Sequence, residues 1–372
     1  MMNIFDFACF PPPLTVTLYS DIHRIRLKTN TVDFIVWTSL PNKRLNFVVP
    51  TPLRFSVCAH DCFWKQFPLK STGPTGQVEN VFSNKTNKTP TTVLIWFWPF
   101  GDIFDLTACS SQHNIDGCFL TADRKFYNKS DGVVIHHREI HGDLSNLPKL
   151  QRPPLQKWIW WNLESPTHTS KLLGIEKLFN LTLNYHQDAD IPIPYGFIVP
   201  VEGEENFTLP KKDKLVCWIV SNWNPNHRRV KYFNELKKHV QIHAYGGAFG
   251  KRISGDDFLL TMPSCKFYLS FESSIHRDYI TEKLYNPLTV GTVPVVLGSP
   301  RQNYENFIQG DAFIHVDDFK SPKELADYLL LLDKNQEMYL RYFEWRRLFK
   351  VKRQNNWAGQ VCLACDYLSR NK

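Results

Sequence analysis

Three polar residues stand where apolar runs end, and they carry the chemistry this chain could do. Residues 158–169 read WIWWNLESPTHT. An aromatic run suited to a buried strand leads out to Glu164, and Pro166 stops its continuation. A carboxylate at the mouth of a strand is placed to take a proton from a substrate hydroxyl. The other reading is a Glu that caps a helix or sits in an ion pair. Residues 270–285 read SFESSIHRDYITEKLY, a strand end, a polar loop and a helix that opens near Thr281. Glu282 suits the first turn of that helix, but Lys283 does not unless an anion binds there. Residues 221–229 read SNWNPNHRR and bring Arg229 to a second strand-to-helix turn. Two such basic turns suggest a diphosphate site; otherwise they are two solvated turns.

Other patterns are weaker. Asp188 and Asp190 form an Asp-x-Asp in what reads as a linker, so no metal is assigned to them. His137 and His141 are spaced i, i+4, but Glu139 is misplaced for a zinc-protease motif and the stretch reads as strand. Residues 246–250 (GGAFG) are the nearest approach to a glycine-rich nucleotide loop, and a backbone turn explains them. Cys362 and Cys365 would form a redox or zinc pair in a cytosolic protein, without a second pair at zinc spacing to support zinc.

The elements that must position these residues follow from texture. Residues 1–90 read as irregular, with frequent Pro and a polar stem-like stretch at 71–90. From residue 92 the pattern becomes α/β. Apolar runs at 92–98, 133–135 and 158–161 read as buried strands separated by helix-length spacers. Residues 186–214 read as an interdomain crossing. A second series follows, with strands at 215–220, 242–245, 267–271, 293–297 and 313–316 and a basic helix at 226–239. The final clear helix starts at Ser321 with a capping box and Pro322 at its first position. Leu325, Tyr328, Leu329 and Leu332 then share one face. Strands alternating with helices imply parallel sheets, with ligands beyond the carboxyl ends of the strands.

Composition bounds the class. The chain has 372 residues, enough for two domains. It is 43% hydrophobic and 22% charged, which excludes a disordered or collagen-like chain. The net charge of +8 fits an anionic ligand and fits a solvated basic face equally. No Lys/Arg run marks a nucleic-acid partner. No apolar run reaches 18 residues, and Asp6 with the prolines at 11–13 makes the N-terminus a poor signal peptide. Five Asn-x-Ser/Thr sequons, at Asn84, Asn87, Asn128, Asn180 and Asn206, and nine cysteines point instead to the secretory pathway.

Read in order, residues 98–101 (WPFG), 136–139 (HHRE), 162–168 (NLESPTH), 221–224 (SNWN), 278–283 (DYITEK) and 293–298 (VPVVLG) resemble the animal α-1,3-fucosyltransferases, most of all the branch that acts on lactosamine to make Lewis x-type structures. The resemblance runs from about residue 93 to 366. It implies a GT-B fold, in which two Rossmann-like domains face each other across a cleft: an acceptor domain at 91–200 and a GDP-fucose domain at 201–355, with a tail at 356–372 tied back to the first. It implies inverting transfer of fucose from GDP-fucose to the 3-OH of GlcNAc. Glu164 then resembles the base. Tyr195, Ser221, Asn222, Arg229, Ser273, Tyr279, Glu282 and Lys283 resemble donor contacts, Arg229 and Lys283 being the cations that meet the diphosphate. Trp98, Phe100, His137 and Arg138 resemble acceptor contacts, and Arg138 goes with type 2 lactosamine, Galβ1,4GlcNAc.

The resemblance further implies disulfides Cys109–Cys362, Cys118–Cys365 and Cys217–Cys265, and glycans on Asn128 and Asn180. No metal or other cofactor is obligatory, and a divalent cation acts at most as a stimulant. Partners are glycoprotein and glycolipid lactosamine chains, with a homodimer possible. The setting is the Golgi membrane with a luminal catalytic region. Because such enzymes carry an N-terminal anchor, residues 1–90 read as a variant or mis-assembled start. Two residues depart from the family pattern. Ser273 replaces an Asn, and Pro287 replaces an Ala in the helix after Lys283, where a kink is expected. They motivate the alternative of a weakened relative that binds GDP-fucose or glycan without efficient transfer.

Overall fold

A computed structural model of the chain describes three short N-terminal strands and residues 89–201, 207–354 and 356–371. Cys9, Cys58, Cys62, Asn84, Asn87 and Asn206 lie outside the described residues. The chain divides into two compact units, residues 1–83 and 84–372. In the first, β1 (Thr15–Val16), β2 (Arg24–Lys28) and β3 (Asp33–Trp37) form an antiparallel meander. That corrects the expectation of wholly irregular structure before residue 90. Alternation in 33–37 (DFIVW) is too short to stand out against the surrounding prolines.

The second unit holds two parallel sheets. The first contains β4 (Thr91–Ile95), β5 (Cys118–Thr121), β6 (Gly132–His136), β7 (Lys157–Asn162), β8 (Leu181–Asn184) and β9 (Ile191–Pro192). Their spatial order is β5-β4-β6-β7-β8-β9, and every pairing is parallel. A short helix, α1 (Ala108–Ser111), lies between β4 and β5. After β9 the chain leaves through β10 (Gly196–Pro200).

The second sheet contains β11 (Lys214–Ile219), β12 (Ile242–Tyr245), β13 (Cys265–Phe271), β14 (Val293–Leu297) and β15 (Ile314–His315), in the order β12-β11-β13-β14-β15 and again all parallel. Its helices are α2 (Arg228–Leu236), α3 (Gly255–Thr261), α4 (Glu282–Val290), α5 (Arg301–Tyr304), α6 (Pro322–Lys334) and α7 (Gln336–Leu340). The chain then returns: β16 (Phe349–Arg353) pairs antiparallel with β10, and α8 (Trp357–Arg370) crosses back to the first sheet. So the stretch expected as a plain crossing holds two strands, and the expected tail is a 14-residue helix.

Burial explains the layers. On one face of the second sheet, Val230, Phe233 and Leu236 of α2 and Leu325, Leu329 and Leu332 of α6 bury against Val216, Phe267 and Val295. Leu284, Tyr285 and Leu288 of α4 pack in a separate cluster with Val296. In the first sheet, α8 places Val361, Ala364 and Leu368 against Val93, Ile159 and Trp161, while Leu94, Val133 and Trp158 form another core. Cys109–Cys362 and Cys118–Cys365 bolt α8 down, and Cys217–Cys265 joins β11 to β13.

Both sheets share one strand order, 2-1-3-4-5 counted from their own first strand, with a sixth strand added in the first sheet. This is the flavodoxin-like variant of the doubly wound fold, and its crevice opens between the first and third strands. Those switch points fall between β4 and β6 and between β11 and β13. Residues 98–101 and 137–139 follow β4 and β6, the stretches carrying Arg229 and Lys283 follow β11 and β13, and the stretch carrying Glu164 follows the neighbouring β7.

Candidate active site

A cavity of about 840 Å³ lies between the two sheets, with loops from both as its walls. On the side of the first sheet stand Phe100, His136, Arg138, Leu163, Glu164 and Trp357. Opposite them are Ser221, Asn222, Arg229, Ser273, Glu282 and Lys283. Tyr195 and Tyr279 also line it. Of the thirteen candidate residues named from sequence for base, donor and acceptor, Trp98 and His137 do not reach the cavity.

Glu164 leaves β7 through a turn that Asn162 fixes. The Asn162 carboxamide accepts from Glu164 N at 3.2 Å and donates to Thr169 Oγ1 at 2.8 Å. Among the described residues the hydrogen bonds at Glu164 are to its backbone, which leaves its carboxylate for the cleft. The rest of this loop is stitched to the opposite wall. Buried Ser165 shares a hydrogen bond with Ser274 at 2.7 Å, Thr167 Oγ1 meets His276 Nε2 at 2.7 Å, and His168 Nε2 meets Ser273 Oγ at 3.2 Å. Tyr195 donates its hydroxyl to Leu163 O at 2.7 Å. The base candidate is thus positioned by contacts from both sheets.

The cations opposite are held by the second sheet. Arg229 is buried in the first turn of α2, with its guanidinium donating to the carbonyls of Phe271 and Asn222. Its Nε is buried without a partner among the described residues. A buried donor left open is costly, so it marks where an acceptor belongs. Burial lowers the Arg229 pKa, opposed by Glu272. Lys283, in the first turn of α4, reaches Thr281 Oγ1 at 2.8 Å, Glu282 Oε1 at 2.9 Å and Glu272 Oε2 at 3.4 Å. Burial works against its charge, but Glu272 and Glu282 outweigh burial and raise its pKa. It stays a cation.

Glu272 is the hidden partner. It is fully buried, takes hydrogen bonds from Thr281 N and Oγ1, and has its pKa raised by burial against the pull of Lys283. Helix α4 starts at Glu282 with Thr281 as its cap and runs through Pro287, where a kink is expected, to Val290 as one helix. The missing N–H of Pro287 deprives one carbonyl, that of Lys283, and leaves the first turn intact. Asp278 keeps a left-handed φ of 62°, clamped by Asn303 through two 2.7 Å hydrogen bonds, and so aims Tyr279 at the cleft.

The first-sheet wall is an aromatic platform. Phe100 has φ 55°, a costly conformation for an aromatic residue, and Glu139 Oε1 holds it there by accepting its N–H at 2.9 Å. The other oxygen of Glu139 lies 2.5 Å from His136 Nδ1. Arg138 lies over the Phe100 ring at 4.7 Å, and Trp357 stacks on Phe100 at 5.9 Å and meets Trp161 edge-on at 5.5 Å. His137 instead turns into the protein, between Trp160 Nε1 at 3.0 Å and Ser170 O at 2.9 Å. The adjacent His136 takes the place expected of it, because a 3-10 turn at His137–Glu139 redirects the chain. Trp98 packs edge-on against Phe104 at 4.9 Å. Sequence reasoning passed over Trp357, Glu139 and Glu272. A charged residue inside the HHRE and FESS stretches was a signal for two of them; nothing local marked Trp357.

Among the described residues one set of metal-type ligands comes together, His186, Asp188 and Asp278, with atoms within 4.8 Å of one another. Arg277 already meets Asp188 at 2.6 Å, and Asn303 and Gln187 N–H take up Asp278. These residues fit an ion-pair network better than a cation cage. Asp190 is bound to Thr182 N and Oγ1, both at 2.8 Å, so the Asp-x-Asp is a turn between β8 and β9 rather than a linker.

Residues 88–196 match the fucosyltransferase N-terminal family model, and residues 209–372 match the model of the glycosyltransferase family 10 (fucosyltransferase) C-terminal region. The chain belongs to the family 10 fucosyltransferases. It is 56% identical over 310 residues to 4-galactosyl-N-acetylglucosaminide 3-alpha-L-fucosyltransferase 9 of Homo sapiens and of Mus musculus, covering 83% of this chain and 86% of each relative. It is 42% identical over 325 residues to 4-galactosyl-N-acetylglucosaminide 3-alpha-L-fucosyltransferase FUT6 of Pongo pygmaeus, covering 85% and 90%. A crystal structure of an alpha1,3-fucosyltransferase with GDP-fucose shares the fold of this fucosyltransferase at TM-score 0.50 and 18% identity, covering 80% of this chain and 95% of that one.

Proposed function

We propose that this fucosyltransferase moves L-fucose from GDP-fucose, with inversion, to the 3-OH of GlcNAc in Galβ1,4GlcNAc chains. The observation that carries this reading is Glu164 on one wall of the cleft with Arg229 and Lys283 on the other. The acceptor O3 attacks the anomeric carbon of fucose as Glu164 takes its proton. The bond from that carbon to the β-phosphate oxygen breaks, and GDP leaves with the electron pair on its diphosphate. Charge that grows on the leaving diphosphate is met by the buried Arg229 and the cationic Lys283. A preorganised donor of this kind contributes about 3–4 kcal/mol to the transition state. With these residues in that role a divalent ion is not obligatory. Tyr195, Tyr279, Ser221, Asn222, Ser273 and Glu282 orient the donor. Phe100, Arg138 and Trp357 receive the galactose of the acceptor, since sugars settle on aromatic faces edged by polar groups.

The setting proposed is the Golgi lumen, with lactosamine chains of glycoproteins and glycolipids as partners. Three disulfides suit an oxidising compartment, and Asn128 and Asn180 are exposed for glycosylation. The test is transfer by the purified chain from GDP-fucose to lactosamine, beside Glu164→Gln. The variant should lose 10²–10⁴-fold in kcat, about what a general base supplies, while GDP still raises its Tm. Parent protein that GDP stabilises but that makes no product would overturn the activity. A variant as fast as the parent would remove Glu164 from the role of base.

A further inference from the structure

A second hollow, of about 240 Å³, opens beside the active cleft in the first-sheet half. Among the described residues Glu164 alone lines both. The hollow sits at the carboxyl ends of β7 and β8, where Trp160 and Tyr185 form its aromatic wall and Asn184, His186 and Lys171 its polar groups. No interaction of the mechanism above uses these side chains.

Its construction suits a sugar. Trp160 is fixed in place, its indole N–H donating to His137 Nδ1 at 3.0 Å while His137 Nε2 meets Ser170 O at 2.9 Å. Asn184 spends its carbonyl on His186 N at 2.9 Å and keeps its NH2 group. Tyr185 is buried, and its hydroxyl has no partner among the described residues. A fixed aromatic wall with a few uncommitted polar groups is the make-up of a small-ligand site. The space is that of one sugar ring.

Chemistry then says which sugar. A residue inside a glycan chain is substituted on both sides. If its reacting hydroxyl meets Glu164, one neighbour must lie to each side of that carboxylate. The platform of Phe100, Arg138 and Trp357 takes the galactose on the non-reducing side. We infer that the second hollow is a subsite for the sugar attached on the reducing side of the reacting GlcNAc, so that the enzyme reads a chain longer than the disaccharide. This rests on the function proposed above.

The test compares kcat/KM for the methyl glycoside of lactosamine with that for the tetrasaccharide Galβ1,4GlcNAcβ1,3Galβ1,4Glc. The parent should favour the tetrasaccharide at least tenfold, equivalent to about 1.4 kcal/mol. Ser170→Trp fills the hollow from an exposed position whose backbone carbonyl still serves His137, and His186→Ala trims its rim. Each should cut the ratio at least fivefold, with GDP-induced stabilisation confirming that the variant is folded. A parent ratio near one would overturn the subsite, as would a ratio that neither variant moves. Absence of product from both acceptors would instead strike the proposed activity itself.

Discussion

Glu139 shows how much one side chain can decide. Its two oxygens hold Phe100 in a strained backbone conformation and fix His136, so one carboxylate shapes the aromatic platform. Burial alone would raise its pKa, but His136 and the Phe100 N–H outweigh burial and hold it below the ordinary carboxylate range. A carboxyl with a lowered folded pKa contributes stability that is complete above its ordinary value and drains away as pH falls through the folded one. Glu139→Gln should therefore be about 1–2 kcal/mol less stable than the parent at pH 7, and urea unfolding at successively lower pH should show that gap narrowing below the ordinary carboxylate range. Its acceptor KM should rise several-fold with little change in donor KM. Legibility at this scale was uneven. Glu164, Arg229 and Lys283 were readable because a charged residue at the end of an apolar run has few structural uses. His136 and His137 were not separable, since adjacent residues exchange faces with a small turn of backbone.

Among the elements, the loops after β7 and β13 matter most, because three side-chain pairs join them across the cleft. The loop after β11 is set differently, by a glycine. Gly246 has φ 124°, and a Cβ there would lie 1.9 Å from Val220 O. Gly246→Ala should cost at least about 2 kcal/mol of stability and push the strand end carrying Ser221 and Asn222 out of place. The readout is a lowered Tm together with a raised GDP-fucose KM. Strands β12 and β14 were legible to the residue: VPVVL is a continuous apolar run with one good use in a parallel sheet, and the short IHAY is ended by Gly246 and Gly247. Strands β5, β8 and β16 were not. Their sequences CFLT, LTLN and FKVKR are short or mixed, and they are strands because a neighbouring strand or ribbon partner completes them.

For the molecule as a whole, the parallel two-sheet plan was legible and the closing helix was not. Helix α8 carries Cys362 and Cys365 on a face that reads as ordinary amphipathic sequence, and only tertiary structure brings it across to β4 and β5. Linking residues 253 apart removes about 5 kcal/mol of chain entropy from the unfolded state in the loop-closure model. With Cys362→Ser and Cys365→Ser combined, α8 should loosen and take Trp357 with it. Acceptor KM should then rise at least tenfold while GDP binding by calorimetry, which depends on the other sheet, stays close to the parent's.

That helix also sets the order of assembly. The chain is made from its N-terminus, yet the apolar face of its first large sheet is covered by its last fourteen helical residues. The later sheet can therefore fold while the earlier one still waits, its strands exposed to the quality-control machinery until residues 357–370 have been made. A chain that stops between residues 341 and 356 therefore carries a complete second sheet and an uncovered first one.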